Sequence, residues 1–102
     1  RNDEAAEALT AAGRAYPNSE AAAKSEGLIA DILYRQGQYV EAGRHYKRAL
    51  ETNPAFADAH VSLALLYERL GLARTARAHW RRYLSLDPKG SWADVARRHL
   101  GA

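Results

Sequence analysis

The sequence predicts an all-α fold built from repeated helical hairpins and closed by a C-terminal capping helix. Three observations carry that expectation. The first is an internal repeat. A shift of 34 residues places Ile29 on Leu63, Ala30 on Ala64, Gly37 on Gly71, Ala42 on Ala76, Tyr46 on Trp80, Leu50 on Leu84 and Pro54 on Pro88. A fixed period of this size marks a repeat architecture. The second is helical spacing within each copy: Leu63, Leu66, Tyr67 and Leu70 follow i, i+3, i+4, i+7, and Ala42, Tyr46, Ala49 and Leu50 follow i, i+4, i+7, i+8. The third is punctuation. Gly37 and Gly71 fall where a helix must end with φ > 0, and the pairs Asn53-Pro54 and Asp87-Pro88 end one helix and allow the next to open.

Taken in order, residues 3–19 (DEAAEALTAAGRAYPNS) read as the second helix of a partial repeat. Ala5, Leu9, Ala12 and Pro17 take the spacing that Ala42, Tyr46, Ala49 and Pro54 take later. A full repeat is expected over 20–56 and another over 57–90. Pro17 to Gly37 is 20 residues against 17 from Pro54 to Gly71, so the first helix or its entry loop is longer in the earlier copy. Residues 91–102 are expected to cap the array. Ser91 and Asp94 stand at capping-box spacing, Trp92, Val95, Ala96 and Leu100 form the apolar side, and Arg97 and Arg98 face water. The four segments make one domain, 1–102. Ala30 against Ala42, and Ala64 against Ala76, are the expected close contacts of the hairpins, because helices approach to about 8–10 Å only over short side chains.

Composition narrows the chemistry. The 102 residues include no cysteine, which excludes disulfides, thiolate metal sites and thiol nucleophiles. No apolar run nears the roughly 20 residues that span a bilayer, so no membrane partner is expected. The chain lacks methionine even at position 1 and is expected to be a piece of a longer protein. No G-x-S-x-G and no glycine-rich phosphate loop occurs, and His45, His60, His79 and His99 lie in no recognised metal motif. No enzyme activity, metal or cofactor is expected. His45 and His79 occupy equivalent repeat positions and are expected on helix surfaces. Trp80 and Trp92 fall on apolar stripes, which predicts core and cap packing rather than ligand stacking.

Charge is uneven. Residues 1–68 hold 7 Lys/Arg against 10 Asp/Glu, and residues 69–102 hold 8 against 2. Arg74, Arg77 and Arg81 share a helix face, joined by Arg82, Arg97 and Arg98. A polar outer face explains them, helped by the preference of helix C-termini for cations, and no aromatic platform interleaves with them. Direct nucleic-acid binding is not expected.

The pattern resembles the tetratricopeptide repeat family. Ile29, Ala30, Leu33, Gly37, Tyr39, Ala42, Tyr46, Ala49 and Pro54 fill the family's positions in one unit, Ala23 to Phe56. Leu63, Ala64, Tyr67, Gly71, Ala76, Trp80 and Pro88 fill them in the next, Ala57 to Gly90. Departures are Glu26 and His60 where the family favours Trp, and Tyr83 where it favours Ala, which suggests looser packing at Tyr83. The resemblance implies a right-handed superhelical solenoid and a non-enzymatic scaffold that binds a peptide or helix on its concave, first-helix face. The family's groove positions carry over to Lys24, Gly27, Asp31, Tyr34 and Arg35, and to Asp58, Val61, Leu65, Glu68 and Arg69. The Lys and Asn clamp of chaperone-binding members is absent, since Gly27, Val61, Asp31 and Leu65 stand in its places. Residues 79–100 also resemble the ends of bacterial repeat regions, some of them joined to a MerR-like DNA-binding domain. That implies a bacterial, cytoplasmic protein, and as an alternative function a regulatory or oligomerisation domain of a transcription regulator whose DNA-binding part lies outside this chain. The partner's identity is not readable from the sequence. The uncovered alanine stripe of the N-terminal helix (Ala5, Ala8, Leu9, Ala12) adds an expectation of weak homodimerisation.

Overall fold

The computed structural model describes residues 20–101. Among them every regular element is an α-helix: α1 (Glu20–Arg35), α2 (Tyr39–Thr52), α3 (Ala57–Arg69), α4 (Ala73–Leu86) and α5 (Ala93–His99). The expected N-terminal partial repeat and its homodimer stripe lie outside the described residues. The chain divides into two compact units, Arg1–Phe56 and Ala57–Ala102.

In the first unit α1 packs on α2. Ala30 and Ala42 are both fully buried, as the close-contact argument requires, with Ile29, Ile32, Tyr46 and Ala49 beside them. The expected extra length falls in the helix itself, since α1 has 16 residues and its counterpart α3 has 13. Gly37 stops α1 at φ +79°. Its N–H donates to the Tyr34 carbonyl (3.0 Å) and the Gln38 N–H donates to the Leu33 carbonyl (2.9 Å). Those two bonds satisfy carbonyls that the helix end would otherwise leave without donors.

The second unit repeats the device: Gly71 has φ +76°, with Gly71 N–H on the Glu68 carbonyl (3.1 Å) and Leu72 N–H on the Tyr67 carbonyl (2.8 Å). Each proline sits in a turn after its helix rather than in the first turn of the next. The Phe56 N–H reaches the Asn53 carbonyl at 3.0 Å, and the Gly90 N–H reaches the Asp87 carbonyl at 3.1 Å. Pro54 and Pro88 thus take the second turn position, for which their fixed φ is suited. Leu63, Ala64, Ala76 and Trp80 are fully buried, and α5 adds Ala93 and Ala96 to the cluster of Val61, Ala64, Trp80 and Tyr83.

Two expectations at this end are overturned. Tyr83 does not loosen the packing. It is 1% exposed, and its hydroxyl accepts the Trp92 N–H (3.1 Å) while facing Asp87 Oδ2 (3.4 Å). Gly90 makes that reach possible, because a Cβ there would fall on the Tyr83 hydroxyl and the Asp87 carboxylate. Nor does Trp92 form the apolar side of the cap. It precedes α5 at the N-cap with 37% exposure, and the cap buries the small side chains of Ala93 and Ala96 instead. A helix of 7 residues lies close to its neighbour through alanines more readily than through an indole. The capping box is also absent: α5 has no side-chain cap bond, and Asp94 pairs with Arg97 (3.3 Å).

Candidate protein-binding site

Helix α1 turns one narrow stripe outward. Lys24, Leu28, Asp31 and Arg35 recur at i, i+4, i+7 and i+11, which puts them on one side of a 3.6-residue helix. Lys24 and Arg35 are exposed, and Asp31 is half-buried. Leu28 is 50% exposed, whereas the nearby Ile29 and Ile32 are 4% and 7% exposed. Sequence reasoning passed over Leu28 because it belongs to no carried-over groove position. The signal was its i+4 spacing from Lys24. The Asp31 carboxylate accepts the Tyr46 hydroxyl from α2, so its place on the stripe is fixed by the hairpin core. Tyr34 flanks the stripe, edge-to-face with Tyr39 at 5.2 Å between ring centroids.

In the second unit the equivalent stripe on α3 is Asp58, Ser62, Leu65 and Arg69. Asp58 and Arg69 are exposed, and Leu65 is partly buried, packed against the core of that unit.

Three residues expected in the groove are engaged elsewhere. Gly27 is buried beneath Phe56, whose Cε2 lies 3.2 Å from where a Cβ would stand. The glycine therefore makes room for an aromatic ring of its own unit rather than for a partner's backbone. Val61 occupies the equivalent position and is 3% exposed, held in a cluster with Ala64, Trp80, Tyr83, Ala93 and Ala96. A side chain that has already lost its water has little apolar surface left to offer a ligand. Glu68 serves the cap: its Oε2 accepts Trp80 Nε1 (2.9 Å) and lies 2.7 Å from His99 Nδ1.

His45 and His79 are half-buried against the facing helix rather than lying free on helix surfaces. His45 Nδ1 meets Glu26 Oε1 at 2.6 Å, and 34 residues on His79 Nδ1 meets His60 Nδ1 at 3.0 Å. The repeat keeps this cross-hairpin pair at the same two positions and changes its chemistry from Glu–His to His–His. Tyr67 stacks on His79 with ring centroids 5.5 Å apart. Among the described residues no three His, Cys, Asp or Glu side chains converge on a point where a metal ion would sit. No described helix is long and apolar enough to cross a membrane.

A model of the TPR repeat matches residues 30–71, which run from the buried Ala30 of α1 to the positive-φ glycine that stops α3. Over that stretch the hairpins resemble tetratricopeptide repeats. The chain is also similar to Tetratricopeptide repeat protein 1 of the fission yeast Schizosaccharomyces pombe, with 38% identity over 67 residues. That region is 65% of this chain and only 6% of the yeast protein. Tetratricopeptide repeats mediate protein–protein interaction, and the family is typically one of non-enzymatic scaffolds.

Proposed function

We propose that the chain is a protein-binding module in which the outward stripe of α1, and in the second unit the outward stripe of α3, each contact a peptide or helix. The observation that carries this reading is Leu28, half-exposed at the centre of a stripe whose other members are Lys24, Asp31 and Arg35. An apolar contact with mixed charges around it is a common plan for peptide recognition, in which the apolar group supplies affinity and the charges set register. On α3 the apolar member of the stripe is Leu65, at the position of Asp31, with Ser62 at the position of Leu28 and Asp58 and Arg69 at the ends. The site is smaller than the family's groove positions suggest, since Gly27, Val61 and Glu68 are engaged within their own units.

The test is selection of peptides from a random library on this chain, followed by binding to Leu28→Glu and to Arg35→Glu with Arg69→Glu. Selected peptides should lose binding on Leu28→Glu, with an unchanged helical circular dichroism signal. If all of them bind every variant as they bind the parent chain, the stripes are not the site. The regulatory or oligomerisation reading would then stand ahead of peptide binding.

A further inference from the structure

Helix α4 carries four arginines and no acid along its 14 residues. Arg74, Arg77, Arg81 and Arg82 are all exposed, and none forms an ion pair within the described residues. Arg74, Arg77 and Arg81 follow i, i+3, i+7 and form one row about 10 Å long at 1.5 Å per residue. The hairpin does not require this row. At the equivalent positions α2 carries Val40, Gly43 and Lys47, and the exposed Arg44 there is paired with Glu41 at 3.1 Å.

Helix electrostatics do not account for it either. Cations are favoured at a helix C-terminus, and of the six arginines only Arg97 and Arg98 lie in a last turn, that of α5. Arg74 is the second residue of α4, where the helix dipole opposes a positive charge. Three like charges in a row repel one another, and no carboxylate of α4 offsets them. An anion arriving from outside would remove both penalties at once.

We propose that the arginine row of α4 is a docking surface for an acidic protein segment, separate from the stripes of α1 and α3. Charge complementarity selects the occupant. All four cations are guanidiniums, whose planar forks match carboxylates in pairs, and α4 contains no lysine. An acidic segment with carboxylates spaced about 6 Å apart, as at alternate residues of an extended chain, meets Arg77 and Arg81 in register. Nucleic acid is the weaker fit. The aromatic rings of α4, Trp80 and Tyr83, are 0% and 1% exposed, so no base-stacking platform lies beside the arginines. A row of three cations also covers few phosphates of a duplex.

The experiment titrates this chain with a short fluorescein-labelled peptide of alternating glutamate and alanine, read by anisotropy at about 50 mM salt, where screening is modest. The glutamine counterpart, a single-stranded oligothymidylate and a DNA duplex of matched length are measured alongside. The glutamate peptide is expected to bind and the glutamine peptide to fail. Arg77→Glu with Arg81→Glu should lower affinity at least tenfold, whereas Arg44→Glu, which makes a charge change of the same sign elsewhere, should leave it nearly unchanged. Absence of glutamate-peptide binding overturns the proposal. So does equal loss with Arg44→Glu, which would indicate net charge alone. Tighter binding of either oligonucleotide would reassign the row to nucleic acid and overturn the protein occupant.

Discussion

The His99 ring lies flat on the Trp80 indole, with centroids 4.8 Å apart and planes at 13°. Trp80 Nε1 and His99 Nδ1 meet the same oxygen of Glu68, at 2.9 and 2.7 Å. One carboxylate thus ties the buried centre of α4 to the last residue of α5. A short helix that could not persist alone is held there by packing and by this shared acceptor.

Glu68→Ala should therefore destabilise the chain. Trp80 is fully buried, so its indole N–H would be left without an acceptor, at a cost of about 1–2 kcal/mol once the partial exposure of Glu68 is allowed for. Denaturant unfolding would measure it, and a double-mutant cycle with His99→Ala should show coupling of about 0.5–1.5 kcal/mol. A loss no larger than that of Arg98→Ala would mean that the shared oxygen contributes nothing.

Gly90→Ala tests the tyrosine hinge. The Asp87 side chain is exposed and can swing away from a new Cβ, but the Tyr83 ring is enclosed and cannot. The Tyr83 hydroxyl should lose the Trp92 N–H, with destabilisation of about 1–3 kcal/mol. Hydrogen exchange at Trp92 should accelerate along with it. Unchanged protection of that amide would show that the hydroxyl is not its partner.

The two glycine stops separate backbone cost from packing cost. A Cβ at Gly37 or Gly71 meets nothing within 4 Å, so Gly→Ala there should cost only the penalty of φ > 0, about 1–2 kcal/mol. Gly71→Asn should cost less, because asparagine tolerates that region. Equal melting shifts for Gly71→Ala and Gly71→Asn would contradict this.

The two tryptophans should differ sharply. Trp80→Ala empties a fully buried site and is expected to cost about 3–5 kcal/mol. Trp92 is 37% exposed and precedes its helix, so Trp92→Ala should cost about 1–2 kcal/mol. Comparable losses in chemical denaturation would show that Trp92 anchors the cap after all.

Among the described residues, the helices, the two glycine stops and the buried alanines of the hairpins were legible in the sequence. Ala30, Ala42, Ala64 and Ala76 are all fully buried, and Gly37 and Gly71 both take positive φ. These features follow from helical periodicity and from what glycine and proline permit locally, so a window of one hairpin suffices to read them. Only the tertiary structure decided which outward-looking residues are engaged. Glu68 looked like a groove residue until Trp80 and His99 were found on its carboxylate, 12 and 31 positions further along. Val61 looked available until the cluster that includes Ala93 and Ala96 enclosed it, and Gly27 until Phe56 covered it. His60 and His79 stand 19 residues apart and meet only because their helices pack face to face. Periodicity says which side of a helix is apolar, but which side chains from other segments reach that side is fixed by packing direction and side-chain length. Neither leaves a mark at a regular spacing.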